Sequence, residues 1–399
     1  MKKIQKLNIG KEIAEIVAAI YSDIDDICQV RKVHLSNRGL AGLYAQECQE
    51  ADLLVGYVVT QALDQKTDVK IDHPINGKLG AQRLLASVPT LGWKLIAICA
   101  YSASLRRACE EADDLLWNGV VGQIDANRSS IEIFARTRNL DWRGPLLIHA
   151  RHLRLDLQPE LAPYRKLHHE HPHHYVRTMD GELRWPMYEN HRQKHIDTCI
   201  LDMRDWKEKG NKKDCDINPT RRHKKDGVCE LCFRDVKCSC RSPFPARHLV
   251  ELREYPIRGI GVRALSNFKK GDILDEFAGK IVPTGTLDPK YAVNVDSERE
   301  PEDWVFISPK RLGNWTRFIN HSCDASTEFK RMAIGDRVVI NVVATRDIIL
   351  FEEITADYGE DYWESRECQC GSSNCLTVLR EMAARESLPS PQKNLVDVG

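Results

Sequence analysis

The spacing of apolar residues divides the chain into a helical first part and a strand-rich last part. Near the start, apolar residues recur three and four positions apart, as on one face of an amphipathic helix: Ile13, Ile16, Val17, Ile20, Ile24 and Ile27. Similar patterns follow at 40–63 and 79–116, with breaks at Gly80 and Pro89. We expect residues 1–145 to form a largely α-helical region, and its cysteines fit the apolar pattern as small core residues. No motif in this region predicts chemistry.

From residue 249 onward the pattern changes to short β-strands. Runs of apolar and β-branched residues occupy 249–255, 260–264, 273–277, 305–308 and 337–343. Turn sequences such as Lys-Gly-Asp and Gly-Asp separate these runs. Many short strands predict a compact, mostly-β domain, so that the whole chain belongs to the α+β class.

Composition and charge exclude several classes of protein. The 399 residues carry 58 Lys plus Arg against 58 Asp plus Glu, so overall charge gives no polycation signature of nucleic-acid binding. The longest apolar run, 95–101, is too short to span a membrane. No apolar run near Met1 predicts a signal peptide, and we expect an intracellular protein without membrane contact.

Residues 146–228 have the composition of a linker rich in histidine and basic residues. The tract 168–174 contains five histidines and would either bind a transition metal or be a solvated linker; its proline favours the linker. Between Arg204 and Lys225, nine Lys or Arg stand against four Asp or Glu. This run is either a solvated loop, a nuclear-import signal or a patch that contacts DNA phosphates, and its interspersed acids weaken the DNA reading.

Two groups of cysteines have spacings typical of zinc sites. The first group has four thiols within twelve residues, which can close a tetrahedral structural zinc site: Cys229, Cys232, Cys238 and Cys240. Free thiols are the alternative. The second group, Cys368, Cys370 and Cys375, has three thiols and needs a fourth, for which Cys323 is available.

Two short polar stretches lie inside apolar, β-prone surroundings. The first, 317–323, reads Arg-Phe-Ile-Asn-His-Ser-Cys, and its amide and imidazole groups can hold a ligand by hydrogen bonds. The second, 354–359, places a tyrosine between aspartate and glycine, where its hydroxyl can meet a reacting group. Upstream, Gly259 and Gly261 fit a dinucleotide fingerprint, but no helix follows them, so the Rossmann interpretation fails. Close approach of backbone to a cofactor remains.

The glycine segment at 258–264, the stretches at 317–323 and 354–359 and the cysteines at 368–375, in this chain order, resemble the SET-domain protein lysine methyltransferases followed by a post-SET zinc segment. The resemblance covers about 249–376. It implies a mostly-β SET fold in which the two polar stretches meet in a pseudoknot-like crossing, with zinc-stapled flanks and a separate helical region before them. The implied divisions are a pre-SET-like zinc cluster at 229–245, the SET domain at 246–365, the post-SET segment at 366–380 and a disordered tail at 381–399.

The resemblance also implies roles for individual residues. S-adenosylmethionine (AdoMet) would be held by Gly259, Ile260, Gly261, Tyr291, Arg317, Phe318, Asn320, His321 and Leu376. Tyr358 would be the catalytic residue, and Cys323, Cys368, Cys370 and Cys375 would hold the post-SET zinc. Phe277, Ala356 and Tyr358 would line the channel for the substrate lysine. Because family members commonly have larger or hydroxylated rings at the first two positions, we expect a roomier channel that permits more than one methyl transfer.

The implied function is an AdoMet-dependent protein lysine N-methyltransferase that acts on a histone H3 tail or nucleosome in the nucleus, associated with chromatin. Enzymes of the histone H3 lysine-9 class carry nine cysteines in the pre-SET segment, whereas this chain has five there when the nearby Cys215 is counted, so the substrate class stays open. Two alternatives remain: a weak or inactive SET-fold module that binds chromatin or protein, and a methyltransferase of non-histone lysines. A zinc-finger DNA-binding protein is less favoured, because no recognition helix follows the cysteines.

Overall fold

The computed structural model describes residues 2–34, 38–64, 79–140, 142, 175–188, 191–206, 218–283, 292–295, 305–363 and 367–380. The histidine tract at 168–174, Tyr291 and the tail at 381–399 lie outside the described residues. The architecture is α+β, as predicted: helices at the start of the chain precede a part dominated by β-sheet. In the described ranges, no helix combines the length and apolarity needed to cross a membrane.

The helical region consists of helices that share one apolar core: α1 (Lys2–His34), α2 (Arg38–Asp64), α3 (Leu79–Cys99), α4 (Ala103–Glu111), α5 (Asp114–Ala126) and α6 (Arg128–Thr137). The amphipathic pattern is confirmed, since Val17, Ile20 and Ile24 are fully buried. The side chain of Ser102 caps α4 by accepting from the Leu105 N–H. Pro89 lies inside α3, and the kink falls instead at Gly92, whose φ of 74° breaks the helical backbone.

The strands are short, and all five runs predicted from 249 onward are confirmed. The strands are β1 (Val176–Arg177), β2 (Leu183–Arg184), β3 (Met187–Tyr188), β4 (His191–Arg192), β5 (Lys194–His195), β6 (Ile200–Leu201), β7 (Val250–Tyr255), β8 (Gly259–Ala264), β9 (Ile273–Glu276), β10 (Lys280–Pro283), β11 (Val293–Asn294), β12 (Val305–Ser308), β13 (Leu312–Gly313), β14 (Asn320–His321), β15 (Thr327–Ile334), β16 (Arg337–Ala344) and β17 (Glu353–Ala356).

The largest sheet brings the two polar stretches together. Its strand order is β2-β1-β7-β8-β17-β15-β16-β9, and β14 pairs with β17. The β14–β17 pairing is parallel and sets Asn320 opposite Thr355 and His321 opposite Ala356. On its other edge β17 pairs antiparallel with β8, which carries Gly259 and Gly261. The predicted cofactor and catalytic stretches are therefore neighbours in one sheet.

Part of the predicted linker contributes strands to the sheets. Strand β1 pairs parallel with β7, β5 with β13, and β6 with β10. Strands β1, β5 and β6 have two residues each, too few for a period-two pattern to be visible in the sequence. The chain between 175 and 206 thus lies along the edges of the β-rich part.

The helical region packs directly on strands β7 and β8. Leu265 and Leu350 belong to the same apolar core as the helices. Between the two parts lies buried Glu251, which accepts hydrogen bonds from Ser130 Oγ (2.8 Å), Arg263 Nε (2.5 Å) and Arg177 Nη2 (3.0 Å). Because its oxygens are matched by donors from three segments, this carboxylate fixes the helices against the sheet.

Candidate active site

Strand β8 approaches its neighbours so closely at Gly261 that only glycine fits there. A Cβ atom on Gly261 would lie 2.6 Å from Asn320 Nδ2 and 2.7 Å from Glu353 Oε1. Gly259 has a φ of +73°, in the left-handed region that glycine adopts without strain. Gly261 therefore lets β8 lie directly against Asn320 and Glu353, whereas close approach of this backbone to a cofactor remains a prediction.

A polar cluster lies beside these glycines. Asn320 Nδ2 donates to Glu353 Oε1 at 2.9 Å, and Arg258 forms an ion pair with Glu353 at 2.7 Å. Burial raises the pKa of Glu353, and the hydrogen bond from Asn320 and the charge of Arg258 act against it. The cluster offers one amide, one carboxylate and one guanidinium at the edge of the predicted cofactor site.

His321 links the predicted catalytic and metal residues. The Tyr358 backbone N–H donates to His321 Nδ1 at 3.2 Å, so the ring proton belongs on Nε2. Nε2 lies 3.3 Å from Cys323 Sγ and can donate to it. Burial lowers the pKa of His321, opposed by Asp357, whose carboxylate is 3.6 Å from Nδ1. The ring thus spans the gap between the tyrosine backbone and the thiol.

Tyr358 lines a cavity of about 280 Å³. Its hydroxyl donates to the Ile319 carbonyl oxygen at 2.5 Å, and its ring packs edge-on against Tyr362 with centroids 5.0 Å apart. Phe277 and Phe329 line the same cavity and contact each other edge to face, with centroids 5.0 Å apart. A cavity lined partly by aromatic rings, with the hydroxyls of Tyr358, Tyr362 and Thr316, suits an aliphatic chain that ends in a polar group.

Of three further residues predicted for the site, one lines the cavity and two are buried in the apolar core. Arg317 lines the cavity and donates to the carbonyl oxygens of Pro309 (3.2 Å) and Lys310 (3.1 Å), so it braces the wall. Phe318 is 8% exposed and lies in the core, and Ala356 is fully buried in the same core. Ala356 does not line this cavity, so any effect it has on the channel passes through its packing.

The four thiols Cys323, Cys368, Cys370 and Cys375 come together, although the first is 45 residues from the second. Their Sγ atoms all lie within 4.8 Å of one another, and those of Cys323 and Cys368 are 3.8 Å apart. Burial raises the pKa of Cys370, but N–H and hydroxyl donors, including those of Ser372, outweigh it and lower that pKa to about 6. Leu376 belongs to this corner, since its N–H donates to Cys323 Sγ at 3.4 Å.

The other cluster, Cys229, Cys232, Cys238 and Cys240, is equally compact, with all Sγ atoms within 4.8 Å of one another. Burial raises the pKa of Cys229, but backbone N–H groups, with that of Gly335 at 3.4 Å the foremost, lower it to about 6. A lowered thiol pKa favours the thiolate, the form that binds metal, whereas hydrogen bonds with Cys232 and Cys238 raise the pKa of Cys240 to about 12. None of the described cysteines forms a disulfide.

Both thiol clusters fit zinc, and the glycine-lined corner fits a cofactor. Sulfur atoms about 2.3 Å from a tetrahedral zinc are about 3.8 Å apart, the separation of the Cys323 and Cys368 Sγ atoms. Near His321, whose ring centroid is 4.6 Å from that of Trp363, the buried Trp363 Nε1 has no hydrogen-bond partner among the described residues. An orphaned buried donor next to the Asn-His stretch indicates room for a polar ligand there.

Sequence reasoning missed Glu353 and Arg258, which complete the polar cluster. Glu353 stands one position before the stretch 354–359, and Arg258 one before Gly259. The available signal was a carboxylate at the start of an otherwise apolar strand. Tyr291 lies outside the described residues, so its predicted cofactor role remains a prediction.

Comparison with known proteins identifies the domain that contains these residues. The family model of the SET domain matches residues 259–359. The chain contains a SET domain. The match includes the glycines of β8, the Asn-His stretch and Tyr358.

The relatives of this SET domain include enzymes that modify histones. A "Histone-lysine N-methyltransferase, H3 lysine-36 specific" of Yarrowia lipolytica is 28% identical over 138 residues, 33% of this chain and 18% of that protein. A protein of the same name from Schizosaccharomyces pombe is 26% identical over 208 residues, 44% of this chain and 26% of that protein. The chain therefore spans about a fifth to a quarter of the length of these relatives.

A solved structure, the methyltransferase domain of human histone-lysine N-methyltransferase SETMAR, aligns with a TM-score of 0.27 and 23% identity. The alignment covers 32% of this chain and 56% of that one.

Proposed function

We propose that this protein is an AdoMet-dependent protein-lysine N-methyltransferase that acts on a histone H3 tail in chromatin, in the nucleus. One observation carries the proposal. Within the SET domain, the Tyr358 hydroxyl is fixed by the Ile319 carbonyl at the wall of an aromatic cavity of about 280 Å³. Directly behind this wall, the Asn320–His321 stretch pairs with the strand that leads to Tyr358. This arrangement supports the proposal, because a cavity that could take a lysine side chain lies next to polar groups that could hold a cofactor.

The cavity favours the reactive form of a lysine side chain. A lysine has a reference pKa of about 10.4 and must lose a proton before its nitrogen can attack carbon. The rings of Phe277, Phe329 and Tyr362 line one part of the cavity, and the partial desolvation that they would give a bound lysine favours the neutral amine. When bound, AdoMet supplies an electrophilic methyl group on a positively charged sulfur.

Tyr358 orients the amine and is not a strong base in this mechanism. Because its hydroxyl proton is directed at the Ile319 oxygen, its own oxygen can accept an N–H of the amine. This hydrogen bond turns the nitrogen lone pair into line for attack, and alignment of this kind supplies much of the rate enhancement. Asn320, Arg258 and Glu353 would hold the polar end of the cofactor.

The thiols of the second cluster would hold zinc and complete the site. Zinc on Cys323, Cys368, Cys370 and Cys375 would fix 367–380 beside His321 and bring Leu376 over the cofactor corner. The first cluster would hold a second structural zinc in the pre-SET-like segment. Each metal replaces a hydrophobic core that so short a segment does not have.

Lysine 36 of histone H3 is the target that the relatives favour. Two of them carry this residue in their names, and the five cysteines of the pre-SET-like segment depart from the nine of the lysine-9 class. The aligned part is the SET region, so the target comes from resemblance of the catalytic unit.

The test is transfer of labelled methyl from AdoMet to recombinant histone octamers and nucleosomes, with the modified residue located by mass spectrometry. We expect label on histone H3 from the wild type and a loss of at least roughly 100-fold in Tyr358→Phe, because the alignment of the amine is lost. Tyr57→Phe, which removes a hydroxyl in the helical region, is the matched control and should keep full activity.

Full activity in a folded Tyr358→Phe protein would contradict the role of Tyr358. Label on non-histone proteins but on no histone would show that the substrate is a non-histone protein. No transfer from protein that carries zinc and binds AdoMet would favour the binding-module alternative.

A further inference from the structure

The loop of the first cysteine cluster presents apolar and cationic side chains to solvent. Phe233 is 77% exposed and Val236 62% exposed, both on the loop between Cys232 and Cys238. Phe233 has a φ of +59°, a left-handed conformation that is strained for an aromatic residue. A strained residue whose ring points into water indicates that the ring has a use outside the fold.

The exposure of Phe233 is not the result of a loose loop. Its N–H donates to the Cys229 carbonyl at 2.7 Å, and the Cys229 N–H donates to the Arg234 carbonyl at 2.9 Å. Arg222, only 6% exposed, donates to the carbonyl oxygens of Arg234 (3.2 Å) and Val236 (2.7 Å). The backbone under the ring is therefore held on both sides.

The hydrogen bonds of Arg222 also join two basic segments into one surface. They bring the chain at 221–225 next to that at 234–237, so that Lys224, Arg234 and Lys237 are exposed on neighbouring loops. None of these three forms an ion pair with another residue in the described ranges. We call Lys224, Phe233, Arg234, Val236 and Lys237 the basic-aromatic surface.

Nearby acids do little to neutralise this surface. Asp226 is held by Arg331 at 2.5 Å, and Asp336 by Arg241 at 3.6 Å. Asp235 is the exposed carboxylate that remains between Arg234 and Lys237. The three cations with no ion-pair partner outnumber it, so the surface is positively charged.

We propose that the basic-aromatic surface binds single-stranded nucleic acid, with a base stacked on Phe233 and phosphates on Lys224, Arg234 and Lys237. Cations match the phosphate backbone, and an exposed aromatic ring matches the face of an unpaired base. In a duplex the base faces are covered by their neighbours, so the ring would have no partner. An acidic peptide would use the cations but not the ring. This inference does not depend on methyl transfer.

The test uses the full-length, zinc-loaded protein and the fluorescence anisotropy of labelled oligonucleotides. The probes are single-stranded RNA, single-stranded DNA, duplex DNA and a polyglutamate peptide, each measured over a series of salt concentrations. Wild type should bind a single strand more tightly than the duplex or the peptide. Comparison of the RNA and DNA strands identifies which sugar the surface prefers.

Two variants separate stacking from charge. Phe233→Ala should weaken single-strand binding roughly fivefold to 150-fold, the range for loss of one stacked base. Lys237→Gln should reduce the slope of log K against log salt by about 0.7, the value for one phosphate contact on a single strand. The matched controls are Leu115→Ala, an exposed apolar residue of α5, and Lys269→Gln, an exposed lysine paired with Asp347. Both should bind as wild type.

Equal affinities of wild type and Phe233→Ala, with zinc content unchanged, would overturn the proposal. Tighter binding of duplex DNA would assign the surface to phosphate contacts alone and would equally overturn it. Preference for the acidic peptide would assign it to a protein partner instead.

Discussion

The SET sheet is joined to its two flanks in different ways. The helices before it are attached by packed protein atoms: a shared apolar core and the buried carboxylate of Glu251 with its three donors. The segment after it, 367–380, is attached through four thiols around Cys323. The first attachment is complete without any metal, whereas the second would, under the proposed function, be closed by zinc. Stability of the fold and closure of the active site would then be under separate control.

The difference follows from how much each flank can bury. The helices have a core of their own, which the sheet extends through Leu265 and Leu350. In the described segment 367–380, the buried apolar residues are Cys368 and Cys375. So short a piece gains little from the hydrophobic effect, and the proposed zinc would supply its folding energy instead.

The largest effect should come from breaking the thiol attachment. In Cys370→Ser, the segment 367–380 should lose its zinc and leave the cofactor corner open, with a fall in methyl transfer on the order of 100-fold or more, as for a misplaced catalytic group. Far-ultraviolet circular dichroism should keep the helical signal of the wild type. Cys48→Ser, in the helical region, is the control. A loss of helix together with activity would show that the two attachments are not separate.

Breaking the helix attachment should have the opposite signature. Glu251→Gln leaves Arg263 and Arg177 without their buried carboxylate, which costs about 3–5 kcal/mol for a broken buried ion pair. The free energy of unfolding in urea should fall by this amount, while zinc content stays at the wild-type value. An unchanged stability would contradict the assignment of Glu251 as the central contact.

Acid should weaken the helix attachment through the same residue. Burial raises the pKa of Glu251, but Arg263 and Arg177 outweigh it, so the pKa lies below its ordinary value. The stabilisation is present above the unfolded pKa of about 4.3 and is lost as pH falls through the folded value. Unfolding free energies measured from neutral to strongly acidic pH should converge for wild type and Glu251→Gln. Parallel curves would contradict this.

The smallest effect is expected from a substitution in the cavity that Tyr358 lines. Phe277→Tyr adds a hydroxyl beside Phe329 and Tyr358, which narrows the cavity and should shift the product towards lower methylation without changing either attachment. The ratio of mono-, di- and trimethyl-lysine, read by mass spectrometry, checks it. If the wild type stops at monomethyl-lysine on every accepted substrate, the roomier-channel prediction is wrong.

Local patterns made five of the strands and the thiol clusters predictable from the sequence. Strand β16 is itself a run of mostly β-branched residues, and the four cysteines between 229 and 240 lie close together along the chain. The contact between Ser130 and Glu251 joins residues 121 positions apart, and nothing local in either segment indicates it. The same is true of the two-residue strands β1, β5 and β6, whose pairing depends on the finished sheet.

The most direct test of the account is a single-turnover methyl transfer to nucleosomes by three samples of one protein preparation: as purified, stripped of zinc by a chelator, and reloaded with zinc. The account predicts label on histone H3 from the first sample, none from the second, whose helical signal is retained, and label again from the third. Equal label from all three would show that the thiol attachment does not control the site. No label from the folded, zinc-loaded protein would contradict its assignment as a histone methyltransferase.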